Sequence, residues 1–266
     1  MITISKILVP IDFSPRCAWA ARYASKLAHL FRAELLCLHV GEPGQLERLK
    51  TFVGPEVPGV RRACVILEGD AAEKIVEFSN INAVDMIVMP THAHGRFRRF
   101  LLGSVTAKVL HDSTCPVWTG VHHADAPLSM KMELNNIVCA VECDATCVPL
   151  IQWASDLCQL AGAKLYVVHA VPAADETSDN RGEIELRRFL FERAEAEFVR
   201  LLSSAGIAMD VTVAGGPIVR VVRETALRHH ADAIVIGRGH TLAGLGRLRT
   251  HAYALIRESP CPVVSI

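Results

Sequence analysis

The chain has 266 residues, enough for about two domains of ordinary size, each with its own core. Its 28 basic residues equal its 28 acidic residues, so no electrostatic field of one sign favours nucleic acid or an anionic membrane as a partner. Hydrophobic residues make up 51% of the chain, but charges, histidines and prolines interrupt every apolar run before it reaches membrane-spanning length. The composition therefore predicts a two-domain protein that binds neither nucleic acid nor a membrane.

The chain begins with a strand-like run rather than a basic and apolar leader, so we expect a cytoplasmic protein. Its nine cysteines are scattered, and in a chain of this size reduced, buried thiols are expected. Cys139, Cys143 and Cys147 fall four residues apart. The sequence offers them no tightly spaced tetrahedral partners, so we expect buried thiols there rather than zinc or a redox centre, and no metal site elsewhere.

The most informative feature of the chain is an internal repeat. Residues 6–40 align without a gap with residues 136–170, at an offset of 130 (136 minus 6). The aligned positions include Cys17 with Cys147 and His39 with His169. Later segments align at offsets of 147 (232 minus 85) and 146 (261 minus 115), so a loop of the second copy is one residue shorter. The repeat predicts one domain at 1–121, a linker at 122–133 and a second domain at 134–266.

Within each half, short β-branched runs alternate with longer amphipathic segments, as is typical of a parallel sheet covered by helices on both faces. Strands are predicted at 6–11, 34–40, 63–67, 86–89 and 117–119, and again at 136–141, 164–170, 209–213, 233–236 and 263–266. We expect Ser14 to cap the first helix, which Pro15 begins, and Asp144 to take the equivalent place in the second half. The segment 44–51 has room for little over two helical turns, whereas 181–204 predicts a long helix.

Two loops of the first half are candidates for ligand binding. In open parallel sheets, ligands bind beyond the carboxyl ends of the strands where the strand order reverses, which here means the loops at 9–14 and 89–105. The second loop ends with Gly103 and Ser104 at the start of a predicted helix, where free amides and the helix dipole favour a phosphate. Arginines at 96–99 add positive charge. A capped helix preceded by a basic surface loop is an equally good interpretation.

Three segments together resemble the universal stress protein family. They are Lys-Ile-Leu-Val-Pro-Ile-Asp-Phe-Ser at 6–14, Asp-Met-Ile-Val-Met-Pro-Thr-His at 85–92, and Leu-Leu-Gly-Ser-Val-Thr-Ala-Lys-Val-Leu at 101–110 followed by Cys-Pro-Val at 115–117. The resemblance covers both halves and implies an α/β fold of two tandem flavodoxin-like (Rossmann-like) domains. Each would be a five-stranded parallel sheet of order 3-2-1-4-5, and the last strands would pair the domains as an internal pseudo-dimer. The resemblance also implies cytoplasmic proteins of the stress response, some of which bind ATP and some of which do not. It leaves association into a homodimer and any protein partner open.

The resemblance also implies a nucleotide site in the first domain. Asp12 would face the ribose or a phosphate-bound metal such as Mg²⁺. His39 and Val40 would border the adenine, and Gly103 with Ser104 would hold the phosphates of ATP or AMP. The residues expected around this nucleotide are Pro10, Asp12, His39, Val40, Met89, Thr91, His92, Ala93, Gly103, Ser104 and Val105.

The chain departs from the family's phosphate loop, which has glycine, two residues, glycine, nine residues and then Gly-Ser or Gly-Thr. Pro90 and Ala93 stand at the first two glycine positions, and proline has no amide to donate. In the second domain Arg249-Thr250 replaces Gly-Ser, and Glu142 replaces Asp12. We therefore expect a second site that is altered or binds no nucleotide. Its residues would be Ala140, Glu142, Gly237, Gly239, Arg249 and Thr250.

Three functions are compatible with these residues. The favoured one is a binding module that holds an adenine nucleotide in the first domain. The second is a nucleotide-independent interaction protein with degenerate pockets. The third is a slow ATPase, but the sequence contains no complete phosphate loop, Ser/His/Asp set or paired-carboxylate motif, so we expect no enzyme and no catalytic residues.

Overall fold

The structure is a computed structural model that describes residues 2–55, 57–91, 102–120, 133–172, 181–238 and 247–266, without the side chains of 247–250. It divides into two compact units. The first consists of residues 2–133 together with 262–266, and the second of residues 134–261. Of the predicted linker at 122–133, only Glu133 belongs to the described residues.

The first unit is a parallel sheet with helices on both faces. Its strands are β1 (Lys6–Pro10), β2 (Glu34–Val40), β3 (Arg62–Leu67), β4 (Met86–Met89) and β5 (Val117–Thr119), and its helices are α1 (Pro15–Phe31), α2 (Leu46–Phe52), α3 (Ala71–Ile81) and α4 (Ser104–Asp112). The five strands are parallel and lie in the order β3-β2-β1-β4-β5. The central strands are buried almost throughout because both faces are covered. The predicted strands of this half agree to within one residue at each end.

The second unit repeats this architecture. It contains strands β6 (Asn136–Ala140), β7 (Lys164–Val171), β8 (Val211–Gly215) and β9 (Ala233–Ile236), with helices α5 (Cys147–Ala161), α6 (Arg181–Ser204), α7 (Ile218–Arg228) and α8 (Arg247–Glu258). Its strands are parallel in the order β8-β7-β6-β9. Strand β8 begins and ends two residues later than predicted, because its register with β7 starts where Val211 lies opposite Val167.

The C-terminal strand β10 (Val263–Ser265) is grouped with the first unit rather than with its own half of the repeat. It runs antiparallel to β5, with Val263 opposite Thr119, and the Thr119 hydroxyl donates to the Val263 carbonyl at 3.1 Å. The predicted pairing of the strands at Val117 and Val263 is therefore confirmed. Because β10 satisfies hydrogen bonds at the edge of β5, that edge is not left open, and the strands of the second unit as divided are the four parallel strands β6 to β9.

The first helices of the two units start differently. Ser14 caps α1, its hydroxyl accepting the Cys17 N–H at 3.2 Å, and Pro15 is the first helical residue, as predicted. Helix α5 instead begins at Cys147, with Thr146 at its N-cap position. The prediction that Asp144 caps α5 is wrong. Its carboxylate accepts the Thr146 N–H at 2.8 Å and so stabilises a turn that precedes the helix.

The second helices differ in length, as predicted. Helix α6 has 24 residues and α2 has seven. The buried side chains of α6 lie in its second half and are Ala194, Phe198, Leu201 and Leu202. Exposed ion pairs such as Arg188 with Glu192, at 2.7 Å, accompany the rest of the helix. Neither α6 nor any other helix in the described ranges is long and apolar enough to cross a membrane.

Candidate functional site

A cleft of about 200 Å³ opens in the first unit at the carboxyl ends of β1 and β4, where the strand order reverses. Its walls come from β1 and the following loop, β2, α1, α3 and the segment that joins β4 to α4. The lining residues are Pro10, Ile11, Asp12, Cys17, Leu38, His39, Val40, Ala71, Ile75, Met89, Pro90, Val105 and Thr106. Most of these side chains are apolar, so the cleft suits a flat hydrophobic ring, and Asp12 contributes a carboxylate.

The structure brings many of the predicted site residues to this cleft but not all of them. Those that line it are Pro10, Asp12, His39, Val40, Met89 and Val105. Thr91 and Ser104 adjoin lining residues in the chain, and Gly103 precedes Ser104, but none of the three lines the cleft itself. His92 and Ala93 lie outside the described residues.

Several lining residues were missed by the sequence reasoning. Ala71 and Ile75 come from the first turns of α3, and Thr106 comes from the first turn of α4. The sequence reasoning considered loops that follow strands, whereas the first turns of helices also close the cleft. One signal was available for Cys17, because cysteine recurs at the equivalent position 147 of the repeat.

Hydrogen bonds around Cys17 and Ser14 hold the loop that carries Asp12. The Asp12 carboxylate accepts the Ser14 N–H at 2.9 Å, and the Asp12 N–H donates to the Cys17 sulfur at 3.5 Å. The Cys17 thiol in turn donates to the Pro10 carbonyl at 3.6 Å. Burial, and then the charge of Asp12, raise the pKa of Cys17, so its thiol stays protonated and remains a donor. Asp12 is thereby held at the cleft by its own loop.

Phe13 follows Asp12 with a left-handed backbone, at a φ of 61°, which is strained for a bulky residue. Its ring packs on His39, with the ring centroids 4.4 Å apart, and meets Phe52 edge-on at 5.4 Å. The Arg48 guanidinium lies 4.0 Å from the centroid of the Phe13 ring, where a cation–π interaction is favourable. These contacts offset the backbone strain and place an aromatic cover over His39.

His39 forms part of the cleft wall and is only 8% exposed. Its Nδ1 lies 2.8 Å from the Ile11 carbonyl. Because a carbonyl can only accept, Nδ1 carries the proton and donates it. Nε2 lies against Gly41, where a Cβ atom would collide with the ring. The His39 ring therefore forms part of the cleft wall, while its Nδ1 is hydrogen-bonded to the Ile11 carbonyl.

Two hydrogen bonds connect the end of β4 to the start of α4. The Gly103 N–H donates to the Thr91 carbonyl at 2.9 Å, and the Thr106 hydroxyl donates to the Pro90 carbonyl at 3.1 Å. The Gly103 N–H is thus used within the protein, and the expectation that Gly103 and Ser104 hold the phosphates stays a prediction. Helix α4 has no side-chain cap, so the donors of its first turn start at Ser104.

Lys108, one turn further along α4, is held by carboxylates of α3. Its Nζ lies 2.8 Å from a Glu73 oxygen and 3.6 Å from an Asp70 oxygen. The hydrogen bond with Glu73 raises the pKa of Lys108. Asp70 also caps α3 by accepting the Glu73 N–H at 3.0 Å, and this bond lowers its pKa. Lys108 therefore fastens α4 to α3. The arginines predicted to add positive charge at 96–99 lie outside the described residues.

The second unit keeps the histidine of the repeat, His169, in a partly buried position. His169 Nδ1 donates to the Val141 carbonyl at 2.9 Å, as His39 does to Ile11. Burial lowers the pKa of His169, and the bond to Val141 opposes that effect. Among the predicted residues of this unit, Ala140 ends β6, and Glu142 lies in the loop that follows.

The loop after β9 differs from its counterpart after β4. Gly237 stands where the first unit has Pro90, and a Cβ atom there would make an ordinary contact with Leu150. Arg238, only 8% exposed, stands where the first unit has the buried Thr91. The sequence reasoning gave Arg238 no role, because nothing in the local sequence signals that it is buried. Gly239 and the side chains of Arg249 and Thr250 lie outside the described residues.

The cysteines at 139, 143 and 147 are free thiols. Cys139 and Cys147 are buried, and Cys143 is partly exposed. Burial raises the pKa of Cys147 to about 11 and also raises that of Cys139. In the part of the chain that the structure describes, no group of three His, Cys, Asp or Glu side chains is arranged to hold a metal ion.

Sequence comparisons place the chain among known proteins. The model of the universal stress protein family matches residues 3–58, 45–119 and 133–266. A universal stress protein of Synechocystis is 31% identical over 122 residues, which cover 44% of this chain and 42% of the relative. A universal stress protein of Methanocaldococcus jannaschii is 32% identical over 134 residues, covering 42% of this chain and 79% of the relative. The match thus spans less than half the length of the Synechocystis protein.

Solved structures share the fold across 99% of the chain. A universal stress protein from Archaeoglobus fulgidus has a TM-score of 0.67 at 20% identity, with 96% of that protein covered. A functionally unknown protein from Pseudomonas aeruginosa has a TM-score of 0.70 at 18% identity, with 92% covered. These likenesses concern the fold. The family model matches both copies of the repeat, and so the chain belongs to the universal stress protein family as a tandem member.

Proposed function

We propose that the first unit holds an adenine nucleotide in the cleft beyond β1 and β4, and that the protein acts by binding rather than by turnover. One observation carries the proposal: the cleft is largely apolar, measures about 200 Å³, and is bordered by the Asp12 carboxylate and the first turn of α4. In open parallel sheets this is the usual place for a nucleotide. Part of the lining, including Pro10, Asp12, Met89 and Val105, also falls in segments that resemble the universal stress protein family, of which some members bind ATP.

The apolar part of the cleft supports a base-binding role. Leu38, Val40, Ile75 and Met89 offer aliphatic and thioether surfaces that pack against a flat ring without requiring hydrogen bonds. Pockets that enclose a whole ligand usually measure about 300–1,000 Å³. A cleft of about 200 Å³ is smaller than that range, so it encloses the adenine and leaves the ribose and the phosphates outside this apolar space.

The polar border of the cleft supports a role for the sugar and the phosphates. Asp12 is the acceptor that we assign to the ribose hydroxyls, or to a Mg²⁺ ion bound by the phosphates. Mg²⁺ is usually held by one or two carboxylates together with phosphate oxygens, so a single aspartate fits that use. The amides that begin at Ser104 are the donors that we assign to phosphate, because the dipole of α4 favours negative charge there.

We propose that the second unit has no equivalent nucleotide site. Glu142 replaces Asp12, and Arg249 replaces Gly103 at the start of the helix. The buried Arg238 stands in place of Thr91, so a long cationic side chain occupies a position that is compact in the first unit. Each change alters the border that we assign to the ribose and the phosphates.

We propose binding without efficient hydrolysis because the described cleft holds few groups that would favour a transition state. Phosphoryl transfer requires a positioned metal, a residue that orients water, and cations around the transferred phosphate. Of the described candidates, His39 Nδ1 is engaged with Ile11, and Lys108 is paired with Glu73 and Asp70. We expect a turnover time of minutes or longer, compared with about ten turnovers per second for a typical enzyme.

Calorimetric titration of the full chain with AMP, and with ATP and Mg²⁺, tests the site. We expect Asp12→Ala to weaken ATP binding at least about tenfold, which corresponds to about 1.4 kcal/mol. Asp12→Asn keeps an oxygen that can accept the Ser14 N–H, so it separates loss of the charge from loss of the loop structure. Glu142→Ala is the matched control in the second unit, and we expect it to leave binding unchanged.

The same experiment distinguishes the alternatives. Equal loss of binding in Asp12→Ala and Glu142→Ala would place a site in the second unit and contradict the proposal. If no nucleotide binds, and mass spectrometry of the freshly purified, denatured protein finds no AMP, ADP or ATP, a nucleotide-independent interaction protein is the better interpretation. Steady-state hydrolysis near ten per second that is lost in Asp12→Ala would instead indicate an enzyme.

A further inference from the structure

Two cysteines of the first unit lie directly opposite each other in the sheet. Cys37 on β2 pairs in register with Cys64 on β3. Directly paired residues on neighbouring strands project their side chains from the same face. Neighbouring strands lie about 4.8 Å apart, which falls within the roughly 4.4–6.8 Å between α carbons that a disulfide can bridge. Both cysteines are free thiols in this structure.

The two thiols are in contact and differ in exposure. The hydrogen bond between them is the largest cause that raises the pKa of Cys37, followed by burial. Cys37 is fully buried, whereas Cys64 is partly exposed. A small reagent in the solvent therefore meets Cys64 before it meets Cys37.

Basic side chains lie close to the pair. Arg62 precedes Cys64 by two residues on β3 and so projects from the same face. Its charge lowers the pKa of Cys37, against the larger effects of Cys64 and burial, which raise it. Lys50 on α2 is also close enough to Cys64 for the two to interact electrostatically. Cations near a thiol favour the thiolate, which is the nucleophilic form.

We propose that Cys37 and Cys64 form a site of reversible oxidation that responds to a peroxide. The Cys64 thiolate attacks one oxygen of hydrogen peroxide, which forms Cys64 sulfenic acid and releases hydroxide. The Cys37 sulfur then attacks the Cys64 sulfur, forming the disulfide, and its thiol proton leaves with the sulfenic hydroxyl as water. One peroxide thus accepts two electrons from the pair, and a dithiol reductant reverses the reaction.

The second unit supplies an internal comparison. The equivalent register position on β7 and β8 pairs Val167 with Val211, so the second unit places two valines where the first has Cys37 and Cys64. Valine is thus compatible with this position of the sheet. Cys64→Val removes the exposed thiol and introduces the residue that the second unit already carries there.

Peptide mapping by mass spectrometry tests the proposal. The wild-type chain, Cys64→Val, and the control Cys115→Ser, which removes another partly exposed thiol, are treated with hydrogen peroxide. Free thiols are then alkylated before non-reducing digestion. We expect a Cys37–Cys64 linked peptide in the wild type and in Cys115→Ser, its loss on treatment with dithiothreitol, and its absence in Cys64→Val.

Thermal unfolding gives an independent measurement. The disulfide would close a loop between residues 37 and 64 and restrict the unfolded chain, so the oxidised wild type should melt several degrees above the reduced protein. Cys64→Val should melt at the same temperature with and without peroxide. Oxidation of Cys64 to sulfinic acid without a link to Cys37, or equally abundant links between other cysteines, would overturn the proposal.

Discussion

The two units pack aromatic rings from different parts of the chain against equivalent histidines, of which His39 is buried and His169 is partly buried. His39 and His169 are equivalent in the repeat, and each donates from Nδ1 to the carbonyl just after the first strand of its unit, at 2.8 and 2.9 Å. In the first unit the ring that packs on the histidine is Phe13, from the loop between β1 and α1. In the second unit it is Phe198 of α6, with centroids 5.3 Å apart.

Helix length accounts for this difference. Helix α2 has seven residues, and the loop residue Phe13 adopts a left-handed backbone to complete the cover of His39. Helix α6 has 24 residues and brings Phe198 to His169, so the loop position equivalent to Phe13 is occupied by the small Cys143. The first unit therefore combines strain and aromatic packing in the loop that carries Asp12, whereas the second places its aromatic residue on a regular helix.

Replacing the phenylalanine that packs on each histidine by alanine should give the largest difference in stability loss between the two units. Phe198 is 2% exposed, so Phe198→Ala should destabilise the protein by about 3–5 kcal/mol. Phe13 is only half-buried, and its replacement by alanine should cost less, about 1 kcal/mol. Urea unfolding of the full chain, followed by circular dichroism, measures both changes. Equal losses would show that the loop covers its histidine as effectively as the helix does.

Adding a methyl group beside the first histidine should give the next largest effect. A Cβ atom at Gly41 would collide with the His39 ring, which its bond to Ile11 holds in place, so Gly41→Ala should cost about 1–3 kcal/mol. Gly237→Ala in the second unit is the matched control, because its Cβ would only make an ordinary contact with Leu150. That control should stay within about 0.5 kcal/mol of the wild type. A neutral Gly41→Ala in the same unfolding experiment would mean that the His39 ring is free to move away.

Replacing Thr106, in the first turn of α4, by the alanine found at the equivalent position of α8 should have a smaller effect on stability. Thr106 donates to the Pro90 carbonyl at 3.1 Å, and the equivalent residue of the second unit is Ala252. Thr106→Ala removes that hydrogen bond and should cost about 0.5–1.5 kcal/mol. Thr106→Ser retains the hydroxyl and should recover part of the loss. If the serine variant is as unstable as the alanine variant in urea, the threonine methyl rather than the hydrogen bond stabilises the helix start.

The sequence predicted the fold well because the sheet is buried on both faces. Strands such as β4 are uninterrupted apolar runs, and proline after Ser14 marks the start of α1, so local patterns located both. The start of α5 was predicted wrongly because Asp144 is as good a turn former as a helix cap, and only the path of the loop decides between them.

The candidate site was predictable only in part. Asp12 and Met89 follow from the strand order, because the carboxyl ends of β1 and β4 meet at its reversal. Ile75 reaches the cleft through the packing of α3, which no local pattern specifies. Likewise, Cys37 and Cys64 are 27 positions apart (64 minus 37), and their contact depends on the register of β2 with β3.

The smallest predicted effect concerns the pH dependence of the second histidine. Burial lowers the pKa of His169 in the folded protein below its ordinary value of 6.5, with the bond to Val141 and the charge of Asp144 opposing. Below about pH 6.5 the unfolded chain therefore binds a proton at this histidine that the folded protein does not. The free energy of unfolding should be greatest above about pH 6.5. It should fall as the pH drops toward the pKa of His169 in the folded protein. His169→Gln should remove this contribution. Urea unfolding of both proteins across this range measures it, and an unchanged pH dependence in the variant would mean that another group is responsible.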